Sequence, residues 1–206
     1  MRSQDLSGLL GGITEALANA TCDSRGSCAS RARAKIRFRY VLLPLILLAS
    51  AVAGAETLIG TVVAVADGDT VTVLDANKEQ HKIRLAGIDA PEKAQPFGQR
   101  SKQNMSALVF GKQVDVQWNK RDRYRRIVGK VMVQPSDCPT CPKALDAGLA
   151  QITTGLAWWY KKYAKDQLAE DAARYEFAEH EARAKRAGLW ADSHPIPPWD
   201  WRKGER

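Results

Sequence analysis

Three short segments bring together residue types suited to chemistry on a phosphate. Asp67-Gly68-Asp69-Thr70 sets two carboxylates on either side of a glycine, and Asp89-Ala90-Pro91-Glu92 supplies two more about twenty residues later. Arg84 stands five residues before Asp89, and Arg123-Tyr124-Arg125-Arg126 forms a third, basic segment. Four carboxylates drawn to one place repel one another unless protons or a hard cation compensate, and an all-oxygen ligand set suits Ca²⁺. Guanidiniums beside that cation would grip phosphate oxygens bidentately while the metal polarises them. Each segment also has an ordinary structural reading. Asp-Gly is a common hairpin-turn signal, and a basic run also occurs at solvated strand ends. The EF-hand frame does not fit, because neither its glycine nor its closing glutamate falls in register.

For these segments to meet, strands must carry them. Residues 57–65 are β-branched and alternating, the Asp67-Gly68-Asp69 interruption follows, and 70–74 resumes the pattern. Asp75-Ala76-Asn77-Lys78 is a turn cluster before a third strand over 80–86, in which His81, Ile83 and Leu85 share one face and Lys82 and Arg84 the other. Pro91 makes 89–92 a loop. Helical spacing runs over 98–110 with Gly111 as a stop, and further strands are predicted over 113–118 and 127–133. Leu145, Leu149 and Ile152 predict a second helix ended by Gly155. The stretch 166–187 predicts a long third helix with a narrow stripe of Leu168, Ala172, Tyr175 and Ala182, closed by Gly188. The Trp- and Pro-rich tail is expected to pack as an irregular strap. Five mostly antiparallel strands interleaved with helices describe an α+β fold built on a small closed or nearly closed barrel.

The chain has 206 residues with a formal net charge of +8, and 45% of them are hydrophobic, enough for a core. The first 55 residues are set apart. A basic run from Arg31 to Arg39 precedes an apolar run over 40–55 that ends in Ala51-Val52-Ala53-Gly54-Ala55. Positive flank, short apolar block and small residues make a secretory signal pattern, cleaved after Ala53 or Ala55. The alternative is an uncleaved, outward-facing membrane anchor, although Pro44 and the short run span a bilayer poorly. Without this segment 24 Lys and Arg face 20 Asp and Glu, so the mature chain is only mildly basic. Cys138-Pro139-Thr140-Cys141 sits in a Pro-rich insertion. In an exported protein it reads as a local disulfide or a pair of spare thiols, with half of a metal site or a redox motif as the alternatives; a zinc site would lack two further ligands.

The three segments, in their order and intervals, resemble the active-site segments of the staphylococcal-nuclease (thermonuclease) family. Gly155-Leu156-Ala157-Trp158-Trp159-Tyr160 and Gly188-Leu189-Trp190 extend the resemblance over about 57–190. It implies an OB-type five-stranded barrel with about three helices over 56–190, preceded by the extension of 1–55 and followed by a tail over 191–206. It also implies Ca²⁺-dependent hydrolysis of DNA and RNA with 3′-phosphate and 5′-hydroxyl products. Carried over by position, Asp69, Asp89 and the backbone carbonyl of Ala90 would ligate Ca²⁺, with Asp67 in the outer shell. Ala90 replaces a threonine common in the family, a change of little consequence for a main-chain ligand. Arg84 and Arg126 would hold the scissile phosphate, Glu92 would be the general base, and Tyr124 and Tyr160 would lie along the substrate. No base-edge reader is evident, so little sequence preference is expected. Two other functions compete: an inactive nucleic-acid-binding barrel, and a structural Ca²⁺-binding domain. No protein partner is implied, and a monomer is expected.

Overall fold

In the computed structural model the described residues are 56–138 and 140–204. The N-terminal extension and its signal or anchor pattern lie outside them. Among the described residues eight strands form, β1 (Glu56–Val65), β2 (Thr70–Asp75), β3 (Gln80–Leu85), β4 (Ile88–Asp89), β5 (Gln113–Arg121), β6 (Ile127–Val133), β7 (Leu145–Asp146) and β8 (Trp158–Trp159). The helices are α1 (Gly98–Val109), α2 (Ala147–Thr153), α3 (Ala169–Ala184) and the single turn α4 (Pro198–Trp201), with 3₁₀ turns at Lys161–Asp166 and Gly188–Ala191.

The main sheet runs β3-β2-β1-β5-β6-β7, and a parallel pairing of β3 with β6 closes its first five strands into a barrel. Alternation decides which side chains go inside. Ile127, Gly129, Val131 and Val133 of β6 point inward, joined by Val71, Val73, Ile83, Leu85, Val114 and Val116. Register shifts between Val62 and Ala64, and between Trp118 and Lys120, bend β1 and β5 as closure requires. Met105 and Val109 of α1 and Ile152 of α2, all with no exposed surface, cover the open end of this core.

The five long strands and the OB-type α+β architecture match the sequence expectations. Several details differ, among them Asp89, which was expected in a loop and ends the short strand β4. Leu145 pairs with Val133 as a short strand and α2 begins only at Ala147, because Asp146 takes an extended conformation and caps the helix. The long helix expected over 166–187 is the shorter α3, Ala169–Ala184; the preceding 3₁₀ turn ends at Asp166, and Leu168 lies before α3 with 75% of its surface exposed. The buried stripe of α3 is Tyr175, Ala178, Glu179 and Ala182 instead. Gly155 follows the end of α2 as expected, but α3 ends at Ala184, with Lys185 as its C-cap and Arg186 at positive φ, and Gly188 opens the next 3₁₀ turn. Both glycines have positive φ, and the Gly155 carbonyl accepts from Leu189 N–H at 2.8 Å, so these loops touch where a side chain would meet backbone. The Cys138–Cys141 pair forms a disulfide inside its loop.

Candidate active site

Antiparallel pairing of β2 with β3 places Thr70 opposite Arg84, so the Asp67-Gly68-Asp69 loop lies beside the arginine. The loop is held from below. Gln151, fully buried on α2, donates from Nε2 to the Gly68 carbonyl at 2.8 Å, and a Cβ on Gly68 would overlap Ser101 Oγ of α1. Beyond β3 the chain turns at Gly87 and makes β4, where Asp89 pairs with Trp158 of β8. The two loops are stitched together by Ala90 N–H, which donates to Asp69 Oδ2 at 2.7 Å.

Arg84 is the hub. Its Nη2 donates to Asp89 Oδ1 at 2.6 Å, and its Nη1 is ion-paired with Asp69 without hydrogen-bond alignment, which leaves a buried donor aimed at that carboxylate. Burial works against the Arg84 charge, but Asp69 and Asp89 outweigh it and keep the guanidinium protonated. Burial also pushes Asp69 up, yet Arg84, Asp67 and the Ala90 N–H hold it below the usual carboxylate range. Asp67 is raised to about 6 by burial and by the adjacent Asp69. Burial raises Asp89 as well, against the opposing pull of Arg202 and Arg84.

This pattern tests whether a hard cation fits. Asp69 and Asp89 are 5% and 1% exposed, Arg84 pairs with both and Arg202 with Asp89 alone, so three aspartates face two guanidiniums, and burial raises Asp67 and Asp89 above the usual carboxylate range. That is an excess of buried negative charge which a dication among the oxygens would relieve. The donor set is all oxygen. The residues present fit Ca²⁺.

Glu92 sits at the rim with its side chain 40% exposed, and its carboxylate receives Arg202 at 2.8 Å. Arg126, at the start of β6, lines the same cleft of about 1360 Å³. Its guanidinium is turned onto Asp122, with Nε and Nη2 each 2.7 Å from Oδ2, while Asp122 Oδ1 accepts the N–H groups of Tyr124 and Arg126. Tyr124 is 65% exposed beside Arg123 and Arg126. Tyr160 stacks on Trp199 of the tail, with rings 5.2 Å apart and 6° from parallel. Trp158 and Trp159 belong to the interior, each 7% exposed.

A family model described as staphylococcal nuclease homologue matches residues 82–192. The chain belongs to the staphylococcal-nuclease family. It is 41% identical over 145 residues to an uncharacterized endonuclease of Haemophilus influenzae, covering 70% of this chain and 73% of that protein. It is 38% identical over 169 residues to a micrococcal nuclease of Shigella flexneri, covering 82% of this chain and 93% of the relative. A staphylococcal-like nuclease of Arabidopsis thaliana is 38% identical over 128 residues, which make up 35% of that longer protein.

In this staphylococcal-nuclease-family chain the matched segment contains Arg84, Asp89, Ala90, Glu92, Tyr124, Arg126 and Tyr160. Asp67 and Asp69 precede it and join the site through the β2–β3 pairing. Three features of the site had not been read from the sequence. Gln151 holds the aspartate loop, Asp122 partners Arg126, and Arg202 reaches the carboxylates from beyond the matched segment. Asp122 was the legible one, since an acidic residue four before Arg126 in a tight hairpin is a short-range pattern. Among the described residues another group with metal-ligand spacing is Asp75, Glu79 and His81, within 4.8 Å of one another at the β2–β3 turn. There Asp75 already accepts the Asn77 and Glu79 N–H groups and faces His81, which is the work of a turn.

Proposed function

We propose that the protein is an exported, Ca²⁺-dependent endonuclease that hydrolyses DNA and RNA with little sequence preference. The observation that carries this reading is the pair of buried carboxylates, Asp69 and Asp89, sharing Arg84 on the wall of a wide cleft. Asp69 and Asp89 would hold the cation with the Ala90 carbonyl, and Asp67 would support them from the outer shell. Bound there, Ca²⁺ supplies polarisation of a phosphate oxygen and a positive charge for the transition state.

This chain's own residues do the rest. Arg84, poised between Asp69 and Asp89, would present its guanidinium to a phosphate oxygen. Arg126 exchanges Asp122 for the phosphate from the opposite side of the cleft. Both guanidiniums stabilise charge that grows on phosphorus-bound oxygens as water attacks in line. Glu92, partly exposed at the rim, takes the proton from that water as its oxygen bonds to phosphorus and the P–O5′ bond breaks; the phosphate stays on the 3′-oxygen, and the departing 5′-oxygen takes a proton from solvent to become the hydroxyl. Tyr124 offers an exposed ring beside the backbone, and Tyr160 offers its edge while Trp199 covers one face. Contacts confined to phosphate and sugar predict weak sequence preference.

The test is cleavage of supercoiled plasmid and of single-stranded RNA with Ca²⁺, followed by excess chelator. Relaxation and fragmentation that stop on chelation, with new ends phosphorylated directly by a 5′-kinase, are expected. Binding without cleavage would make the barrel a nucleic-acid-binding module, and cleavage indifferent to chelator would remove the metal from the reading.

A further inference from the structure

The C-terminal segment returns to the carboxylates through three separate anchors. Gln95, 6% exposed, donates from Nε2 to the Ile196 carbonyl at 2.5 Å, which ties the start of the segment to the loop after Glu92. Trp199 on α4 stacks on Tyr160 and meets Trp158 edge-on at 5.6 Å. Arg202, following α4, then places Nη2 2.6 Å from Asp89 Oδ2 and Nη1 2.8 Å from Glu92 Oε1. The contact is bidentate across two carboxylates, and Asp89 beneath it is 1% exposed.

We infer that Arg202 is a positioning residue of the reaction centre: it occupies a cation's share of Asp89 and Glu92, and Ca²⁺ must displace it from Asp89 to bind. The inference rests on the proposed function, because it takes Asp89 to be a cation ligand. The physical argument is charge. Arg84 faces Asp67, Asp69 and Asp89, and the tail adds a second positive group shared by Asp89 and Glu92. A guanidinium and a dication on the same Asp89 oxygen exclude each other by repulsion and by space. The fold thus keeps the acidic loops together in the cation-free chain and lowers their affinity for the cation. The anchors at Ile196 and Trp199 hold the strap in place, so exchange needs only the Arg202 side chain to swing, and that side chain is 43% exposed.

The test is direct calcium binding by calorimetry on the full chain, with Ca²⁺ alone and no nucleic acid. Arg202→Gln is expected to bind Ca²⁺ about tenfold tighter, the scale of one charge-assisted contact. Lys203→Gln removes a neighbouring charge paired with Asp200 and is expected to change affinity less than about twofold, as for an exposed charge. Asp69→Asn should weaken the binding severely in both backgrounds, and melting curves establish that each variant is folded. Unchanged or weaker binding in Arg202→Gln overturns the inference while leaving the metal site intact. An equal gain in Lys203→Gln overturns it too, because the effect would then be general charge. Absence of Asp69-dependent binding in both the parent and Arg202→Gln overturns the proposed metal site and the inference with it.

Discussion

Glu92 and Asp69 stand at different depths of the cleft, 40% exposed at the side chain and 5% exposed overall, and their loss should be felt differently. Asp69→Ala removes an inner oxygen and the acceptor for Ala90 N–H and Arg84. It should therefore require far more Ca²⁺ and recover partly at saturation. Glu92→Gln keeps those groups and should still bind Ca²⁺ and DNA, with turnover lower by about 10²–10⁴-fold, the range for a positioned acid–base group. Turnover against Ca²⁺, with DNA binding followed separately, distinguishes the two, and near-parental turnover in Glu92→Gln would remove it as the base. Asp67 gives a pH signature of its own. It ionises at about 6 in the folded chain against 3.8 for the free side chain, so the fold favours its neutral form. Its contribution is full below 3.8 and is lost as pH rises through about 6. Asp67→Asn should be more stable than the parent in chelator at pH 8, on the order of 1–2 kcal/mol after allowance for partial exposure. The gap should vanish near pH 4, and urea melts at both pH values measure it. These carboxylates and Arg84 were legible as residues because the order and intervals of their segments resemble the family's active-site segments, although each segment alone has an ordinary structural reading. Their partners were not: Arg126 lies on Asp122 through a turn in which Arg125 has φ of 63°, a local geometry that spacing alone does not specify.

At the scale of elements, α2 links stability to the site. Asp146 caps it through Gly148 and Leu149 N–H at 2.9 and 3.2 Å, and its other oxygen accepts Tyr175 O–H of α3 at 2.9 Å. Asp146→Ala loses the cap and strands a buried hydroxyl, so a loss of about 2–4 kcal/mol is expected by chemical denaturation. Because α2 also carries Gln151, which holds Gly68, Ca²⁺ affinity should fall in the same variant. The Cys138–Cys141 loop lies between β6 and β7, away from the cleft residues. Cys138→Ser/Cys141→Ser should keep most of the parental turnover with a lower melting temperature. A loss of turnover in the double variant that matches treatment of the parent with a zinc chelator would instead give these thiols a metal role. The long strands were readable from period-two alternation. The short pairs β4–β8 and β6–β7 were not, because two-residue strands carry no period and exist only where a distant partner supplies the hydrogen bonds.

For the whole molecule, β1 begins at Glu56, beside the small-residue pattern that ends at Ala55. The exported chain is expected to start at Gly54 or Glu56, and N-terminal sequencing of secreted or periplasmic protein checks this. Recovery only in membranes with 31–55 intact would establish the anchor instead. No helix among the described residues is long and apolar enough to cross a membrane. The long strands, their order in the chain and the acidic and basic segments were determined by sequence alone, because alternation, turn residues and charge are local properties that survive any packing. The OB-type barrel was what the family resemblance implied, and its closure is the long-range β3–β6 pairing. What tertiary structure decided is which charges meet. The β2–β3 register puts Arg84 beside Asp69, β8 buries Asp89, and a tail more than a hundred residues away in sequence lays Arg202 across Asp89 and Glu92. Electrostatic coupling depends on distance and on the water excluded between groups, and both are set only when the chain has closed on itself.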